Sequence, residues 1–362
     1  MKKNIKIYWG LYPLAIIYGS IVYFRNKLFD WGILKSNSFP LPVICIGNIS
    51  VGGTGKTPHT EYLIRLFKKD FHVAVLSRGY KRKSRGFVMA GPTSGIHDIG
   101  DEPYQMANKF RNITVAVDTD RCHGIQQLTD GSACTTPDVI LLDDAYQHRY
   151  VKAGFYILLI DYNRPIHSDA MLPAGRLREP ESGKQRANTI IVTKCPDNMS
   201  EEECNQFRKD IAPYPGQDLY FTRFSYGSMM SLTGDGQEVE LSSFDSESQI
   251  LLFTGIASPA PIIRKLNEYT HHIEEVSFPD HHDFTSADIQ LVEEAYEKLD
   301  AEHRIIVTTE KDAARLVDNP LLKDSLKKNI YVLPIKVDFI NNGAEKFNTR
   351  LMDFVTTYIK KH

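Results

Sequence analysis

The stretch Gly47-Asn48-Ile49-Ser50-Val51-Gly52-Gly53-Thr54-Gly55-Lys56-Thr57-Pro58 decides the fold. Before it, Leu41-Pro-Val-Ile-Cys-Ile46 is an apolar run of strand length. After it, Thr60-Glu-Tyr-Leu-Ile-Arg-Leu-Phe67 carries apolar residues at helical spacing. A glycine-rich turn between a strand and a helix is the setting a phosphate-binding loop requires. Gly52, Gly53, Thr54 and Gly55 let backbone N–H groups converge on phosphate oxygens, and the helix N-terminus adds partial positive charge. Lys56 is placed to reach the β- and γ-phosphates, and the Thr57 hydroxyl to bind Mg²⁺. The first glycine of the strict G-x-x-x-x-G-K-[ST] pattern is Ser50 here, which leaves the Gly-x-Gly-Lys-Thr heart of the cradle intact.

A second element points the same way. Asp138-Val-Ile-Leu-Leu-Asp143-Asp144 is a continuous apolar run that ends in two carboxylates, the pattern of a buried parallel strand delivering acids to the C-terminal edge of a sheet. Acids at that edge hold Mg²⁺ beside bound phosphates. Further candidate strands at 72–76, 114–117, 156–160 and 189–192 alternate with helical stretches. The fold class expected is therefore α/β, a P-loop NTPase-type mostly parallel sheet flanked by helices.

The chain has 362 residues, more than one core usually serves, and a net charge of −2. A nucleic-acid partner is not expected, because no basic surplus is available to neutralise a phosphate backbone. Five cysteines are scattered without C-x-x-C spacing and read as reduced thiols. Residues 1–36 differ from the rest: they hold Lys2, Lys3, Lys6, Arg25, Lys27 and Lys35 against Asp30 alone, together with both tryptophans. Their uncharged middle is rich in tyrosine and interrupted by Gly10, Pro13 and Gly19, which suits an interfacial helix better than a spanning one. Three regions are expected: a basic aromatic membrane-associating helix at 1–36, a P-loop domain at 37–217, and a smaller α/β domain at 218–362 with strands near 249–255, 304–308 and 330–334.

Other P-loop classes fit less well. Ile191-Val-Thr193-Lys194-Cys195-Pro196-Asp197 approaches the guanine-reading Asn-Lys-x-Asp of GTPases, but has Thr for Asn and one residue too many before the acid. Val51 stands where ParA-type ATPases carry a second lysine. The reading from a different class is a membrane-tethered P-loop GTPase or ATPase acting as an assembly factor.

The sequence resembles the tetraacyldisaccharide 4′-kinases of lipid A biosynthesis over nearly its whole length. The loop itself carries the resemblance, with Ser77-Arg78-Gly79-Tyr80, Gly100-Asp101-Glu102-Pro103, Asp118-x-x-Arg121, Asp143-Asp144-Ala145-Tyr146-Gln147-His148, Leu172-Pro173-Ala174-Gly175-x-Leu177-Arg178-Glu179, Phe278-Pro279-Asp280-His281-His282 and Thr309-Glu310-Lys311-Asp312. Departures are Ala145 for glycine and Tyr146 for phenylalanine.

The resemblance implies transfer of the ATP γ-phosphoryl group to the 4′-hydroxyl of a lipid A disaccharide 1-phosphate, with Mg²⁺. By resemblance Asp101 is the base, assisted by His281; read alone, Asp101 is an acid in a glycine-rich loop. Thr57, Asp143 and Asp144 are expected to organise Mg²⁺, with Glu102 a further partner. Gln147 and His148 are carried over to the nucleotide, and Arg78, Arg121, Arg178 and Glu179 to the substrate. The implied location is the cytoplasmic face of the bacterial inner membrane, and a monomer is the expected form.

Overall fold

Burial follows the apolar runs. In the computed structural model, which describes residues 5–131, 134–234, 236–280, 282–300, 302, 304–317 and 319–361, strands β1 (Val43–Gly47), β2 (Val73–Ser77) and β5 (Val139–Asp143) are buried at every position. With β3 (Val88–Met89), β4 (Thr114–Val117), β6 (Phe155–Asp161), β7 (Thr189–Thr193) and β8 (Asp218–Tyr226) they build the larger sheet. The chain then makes β9 (Met229–Ser231), β10 (Glu238–Val239), β11 (Gln249–Thr254), β12 (His272–Ser277), β13 (Arg304–Thr309) and β14 (Ile330–Leu333), before β15 (Ile335–Phe339) rejoins the first sheet beside β8.

Among the described residues the larger sheet has nine strands in the order β15-β8-β7-β6-β1-β5-β2-β4-β3. From β4 through to β8 every pairing is parallel, and the short β3 runs antiparallel to β4. β1 lies between β5 and β6, while its own continuation in the chain, β2, pairs on the far side of β5. That skip opens a crevice at the carboxyl ends of β1 and β5, the place where doubly wound sheets bind ligands. Register sets the chemistry: Ile46 of β1 pairs with Asp143 of β5, so the acid emerges beside the start of the glycine loop. The second sheet has the order β10-β9-β14-β13-β11-β12, parallel from β14 to β12.

Helices α1 (Tyr12–Asp30), α2 (Lys56–Phe67), α3 (Ile96–Ile99), α4 (Asp101–Lys109), α5 (Arg121–Thr129) and α6 (Glu201–Ile211) precede the second sheet. Helices α7 (Ala260–Leu266), α8 (Ser286–Glu297), α9 (Glu310–Leu316) and α10 (Asp324–Lys327) belong to it, and α11 (Gly343–Lys361) follows. The chain divides into two compact units, Met1–Phe224 with Val337–His362, and Ser225–Lys336.

This differs from the expected division at 217 and from a separate region at 1–36. The Pro213-Tyr-Pro-Gly216 break is a helix-to-strand turn inside the larger unit, because β8 simply extends the sheet from β7. α11, which the sequence reading assigns to no element, returns to the same unit. Its Phe347, Leu351 and Val355 recur every fourth residue and pack with Ile44, Leu63 and Ile157 on one face of the sheet. Asn348 accepts a hydrogen bond from the Tyr62 hydroxyl at 2.9 Å, and Arg350 pairs with Asp218.

α1 docks on the larger unit by its polar edge. Asn26 donates to Glu179 at 3.1 Å, Arg25 to the Gln147 carbonyl at 3.0 Å and Tyr18 to the Arg178 carbonyl at 3.1 Å. Its other face leaves Ile17 58%, Ile21 63% and Phe24 61% exposed. Among the described residues, no helix is long and apolar enough to cross a membrane.

Leu351 is fully buried in the seam between α11 and the sheet. Leu351→Ala is therefore expected to destabilise the larger unit by about 2–5 kcal/mol. Urea unfolding followed by circular dichroism measures this; a loss below about 1 kcal/mol would show that α11 packs loosely.

Candidate active site

The glycine loop leaves β1 at Gly47, where a Cβ would come within 2.7 Å of the Tyr146 Cβ, so glycine is required for the two segments to pass. Gly52 (φ +114°) and Gly55 (φ +84°) adopt backbone that side chains rarely tolerate, and Gly55 is the N-cap of α2. Asn48 donates across the loop to the Thr54 hydroxyl at 2.9 Å. The leading edge of the loop pairs with the Leu172–Glu179 segment: Val51 N–H donates to the Arg176 carbonyl at 2.7 Å and Arg178 N–H to the Ile49 carbonyl at 2.7 Å. This pairing carries Arg178 to the acids, which nothing in the spacing of the sequence foretells.

Lys56 and Thr57 open α2, Thr57 half-buried. The Lys56 ammonium stands 3.6 Å from one oxygen of Asp144, and the Arg178 guanidinium 3.7 Å from the other. Asp144 Oδ1 is buried without a hydrogen-bond donor. Asp143 is also buried and accepts from the Thr60 hydroxyl at 2.9 Å. Burial first, then the neighbouring Asp144, push its pKa up to about 6; Lys56 opposes the rise and Glu102 adds to it. Two carboxylates at one strand end, one raised and the other holding a sheltered oxygen with no donor, fit a hard divalent cation such as Mg²⁺. Thr57 and Glu102 are at hand as further oxygen donors.

Asp144 has φ +47°, whereas Ala145 does not lie in the left-handed region. The strained residue of this turn is thus the acid, and alanine in place of the family's glycine is accommodated. Arg121, buried at the start of α5, donates to the Thr119 carbonyl at 3.0 Å and to the Asp144 carbonyl at 3.5 Å. Burial, then the charge of the exposed Arg78, hold its pKa down, which places both arginines in one electropositive patch.

Asp101 is buried at the first turn of α4, next to Glu102. Gly100 before it has φ +89°, and a Cβ there would meet the Tyr80 carbonyl at 2.8 Å, so the loop after β2 presses directly on the turn that bears Asp101.

Other expected site residues stand behind the pocket. Gln147 donates to the Asn48 carbonyl at 2.6 Å and so braces the glycine loop. The His148 ring lies beside Tyr150, and burial first, then Arg121, lower its pKa to about 4. Glu179, expected at the substrate, is 1% exposed; Arg186 at 2.8 Å and Asn26 at 3.1 Å hold its carboxylate. That is a correction: Arg186 and Asn26 both hold Oε2, Oε1 is buried without a partner, and the carboxylate, closed to solvent, bears on the site through the segment it fixes.

In the smaller unit, His281 lies outside the described residues. Around it, Asp280 pairs with Lys311, the Arg315 guanidinium donates to the His282 carbonyl at 2.8 Å, and the His282 ring stacks on Phe278 at 5.0 Å. His282 also meets Asp288 at 2.9 Å. The Thr309 hydroxyl caps α9, accepting from Asp312 N–H, so the Thr-Glu-Lys-Asp motif builds a helix start that anchors this loop.

The glycine loop, the acid pair and the converging lysine and arginine define a P-loop phosphotransferase site. The sequence profile of the Tetraacyldisaccharide-1-P 4′-kinase family matches residues 7–356. Tetraacyldisaccharide 4′-kinase of Phocaeicola vulgatus is 54% identical over 97% of this chain and 96% of its own, and that of Bacteroides thetaiotaomicron 53% over 97% and 94%. Among solved structures, LpxK from Aquifex aeolicus in complex with ATP superposes with a TM-score of 0.73 at 30% identity, covering 96% of this chain and 98% of its own. The chain belongs to the tetraacyldisaccharide 4′-kinase family, and the kinase reading prevails over the tethered GTPase or ATPase alternative.

The raised Asp143 has a measurable consequence. A carboxyl whose pKa rises on folding binds its proton more tightly in the native state; its contribution favours folding below about pH 4 and is lost as pH climbs through about 6. Asp143→Asn, neutral throughout, is expected to melt above the parent at about pH 8 and not at about pH 4, both without divalent cations. A melting difference independent of pH would show that Asp143 is not desolvated.

Proposed function

We propose that this chain phosphorylates the 4′-hydroxyl of a tetraacyl disaccharide 1-phosphate at the carboxyl edge of its larger sheet, and that Lys56, Asp143, Asp144 and Asp101 carry the reaction. The observation that supports this most is Asp144, caught between Lys56 and Arg178 with one oxygen lacking a donor, beside a buried Asp143. The loop amides and Lys56 bind the triphosphate of ATP. Thr57, Asp143 and Asp144, with Glu102 near, would hold Mg²⁺, which when bound would supply positive charge to the phosphate oxygens. As the O–P bond to the 4′-oxygen forms and the bond from the γ-phosphorus to the ADP oxygen breaks, the hydroxyl proton passes to Asp101. Arg178 and Lys56 offset the charge that spreads over the transferred group.

Arg78 and Arg121 form the electropositive patch suited to the substrate's 1-phosphate, since guanidinium groups meet phosphate oxygens two at a time. His281 is the partner that the family resemblance gives Asp101. The enzyme works as a monomer on the cytoplasmic leaflet of the inner membrane, where the exposed face of α1 enters the headgroup region and Lys6, Lys27 and Lys35 of the same N-terminal segment face anionic lipid.

Product mass after incubation with ATP and a lipid A disaccharide 1-phosphate tests the activity. Asp101→Ala and His281→Ala should each lower kcat roughly a hundredfold or more. Their double variant should be scarcely worse than the poorer single one, because groups sharing one proton transfer are not additive. Fully multiplicative losses would dissolve the pair. For the membrane, Ile17→Asn, Ile21→Asn and Phe24→Asn together should abolish sedimentation with anionic vesicles while ATP binding persists; undiminished sedimentation would place the contact elsewhere.

A further inference from the structure

Three successive carbonyls of the glycine loop are held from behind by side chains to which the reaction gives no task. The Lys194 ammonium donates to the Gly53 carbonyl and pairs with Asp161 at 2.8 Å. The Thr193 hydroxyl, fully buried, donates to the Thr54 carbonyl at 2.8 Å. His59, also buried, lies 2.7 Å from the Gly55 carbonyl through Nδ1 and 3.0 Å from the Thr222 hydroxyl through Nε2. A carbonyl only accepts, so Nδ1 carries the proton and Nε2 accepts from Thr222. Burial lowers the His59 pKa to about 4, consistent with that neutral form.

We propose that Lys194, Thr193 and His59 are positioning residues that set ATP affinity by aiming the amides of Thr54, Gly55 and Lys56 at the triphosphate. In a trans peptide the C=O of one residue and the N–H of the next share a plane and point in opposite directions. Fixing the carbonyls of Gly53, Thr54 and Gly55 on the sheet side therefore turns the next three N–H groups toward the open side. The loop is built to form its cradle before a ligand arrives, which lowers the ordering cost of binding. Lys194 reaches Gly53 from a left-handed backbone, φ +57°, a conformation a lysine adopts only where its surroundings enforce it. The Thr-Lys pair at the end of β7, which fails as a guanine-reading motif, thus has a use that leaves base identity aside.

The inference rests on the glycine loop being the ATP phosphate site, and the experiment separates the two. Lys56→Ala, Lys194→Met, Thr193→Val, Thr193→Ser and His59→Asn are compared in the full chain by steady-state kinetics and by the rise in Tm that ATP causes. Lys194→Met and Thr193→Val should raise KM for ATP about tenfold or more, leave KM for the lipid unchanged and keep kcat within about threefold. Thr193→Ser and His59→Asn, whose amide nitrogen takes the place of Nδ1, retain a donor and should stay near the parent. A merely structural role would lower Tm equally with and without ATP, whereas the clamp predicts a smaller ATP-induced rise. ATP KM within twofold of the parent in Lys194→Met, or equal behaviour of Thr193→Val and Thr193→Ser, would overturn the clamp. Full activity in Lys56→Ala would instead overturn the phosphate site itself. Should Lys194→Met fail to fold, the Thr193 pair decides.

Discussion

Two adjacent carboxylates at the end of one buried strand impose their terms on everything near them. Burial first, and then the like charge of Asp144, push the pKa of Asp143 up. Cationic groups must therefore converge on the pair. They come from separate parts of the chain: Lys56 from the start of α2, Arg178 from the segment paired with the glycine loop, and Arg121 from the start of α5, which touches the Asp144 backbone. The sheet order, with β1 between β5 and β6, brings these sources to one edge.

The parts of this arrangement legible in the sequence are those that burial writes into composition. β1 and β5 read as strands because parallel strands covered on both faces are continuous apolar runs, and the glycine loop reads as a cradle because only glycine supplies its backbone. Arg178 beside Asp144 was not legible: resemblance carried it to the substrate, and the pairing of Val51 with Arg176 that brings it to the acids leaves no periodic trace. Glu179 shows the opposite failure. A carboxylate in a loop reads as a ligand or as solvated, yet Arg186 and Asn26 enclose it. β12 escaped notice because it is an edge strand, and most of its side chains stay exposed in place of an apolar run. His59, beside Pro58 in the first turn of α2, is buried against the loop, and only its lack of exposure betrays it.

α1 shows why hydropathy alone misjudges a segment. An uncharged stretch rich in aromatics reads as an independent appendage, but its ties run to Gln147, Arg178 and Glu179, all within motifs that build the site. The helix is thus one wall of the larger unit as well as an exposed apolar surface, and its polar edge carries structural information that its mean composition hides.

The return of the chain through β15 and α11 bears on how the protein is made. The larger unit begins at the N-terminus, but one face of its sheet is covered by Phe347, Leu351 and Val355, and β8 gains its outer neighbour only from residues 335–339. During synthesis the whole smaller unit must leave the ribosome first. Throughout that interval the nascent sheet carries a partly uncovered apolar face and an open strand edge, the features that recruit other chains. Completion of the larger unit is therefore a late event, closer to post-translational assembly than to folding in step with elongation.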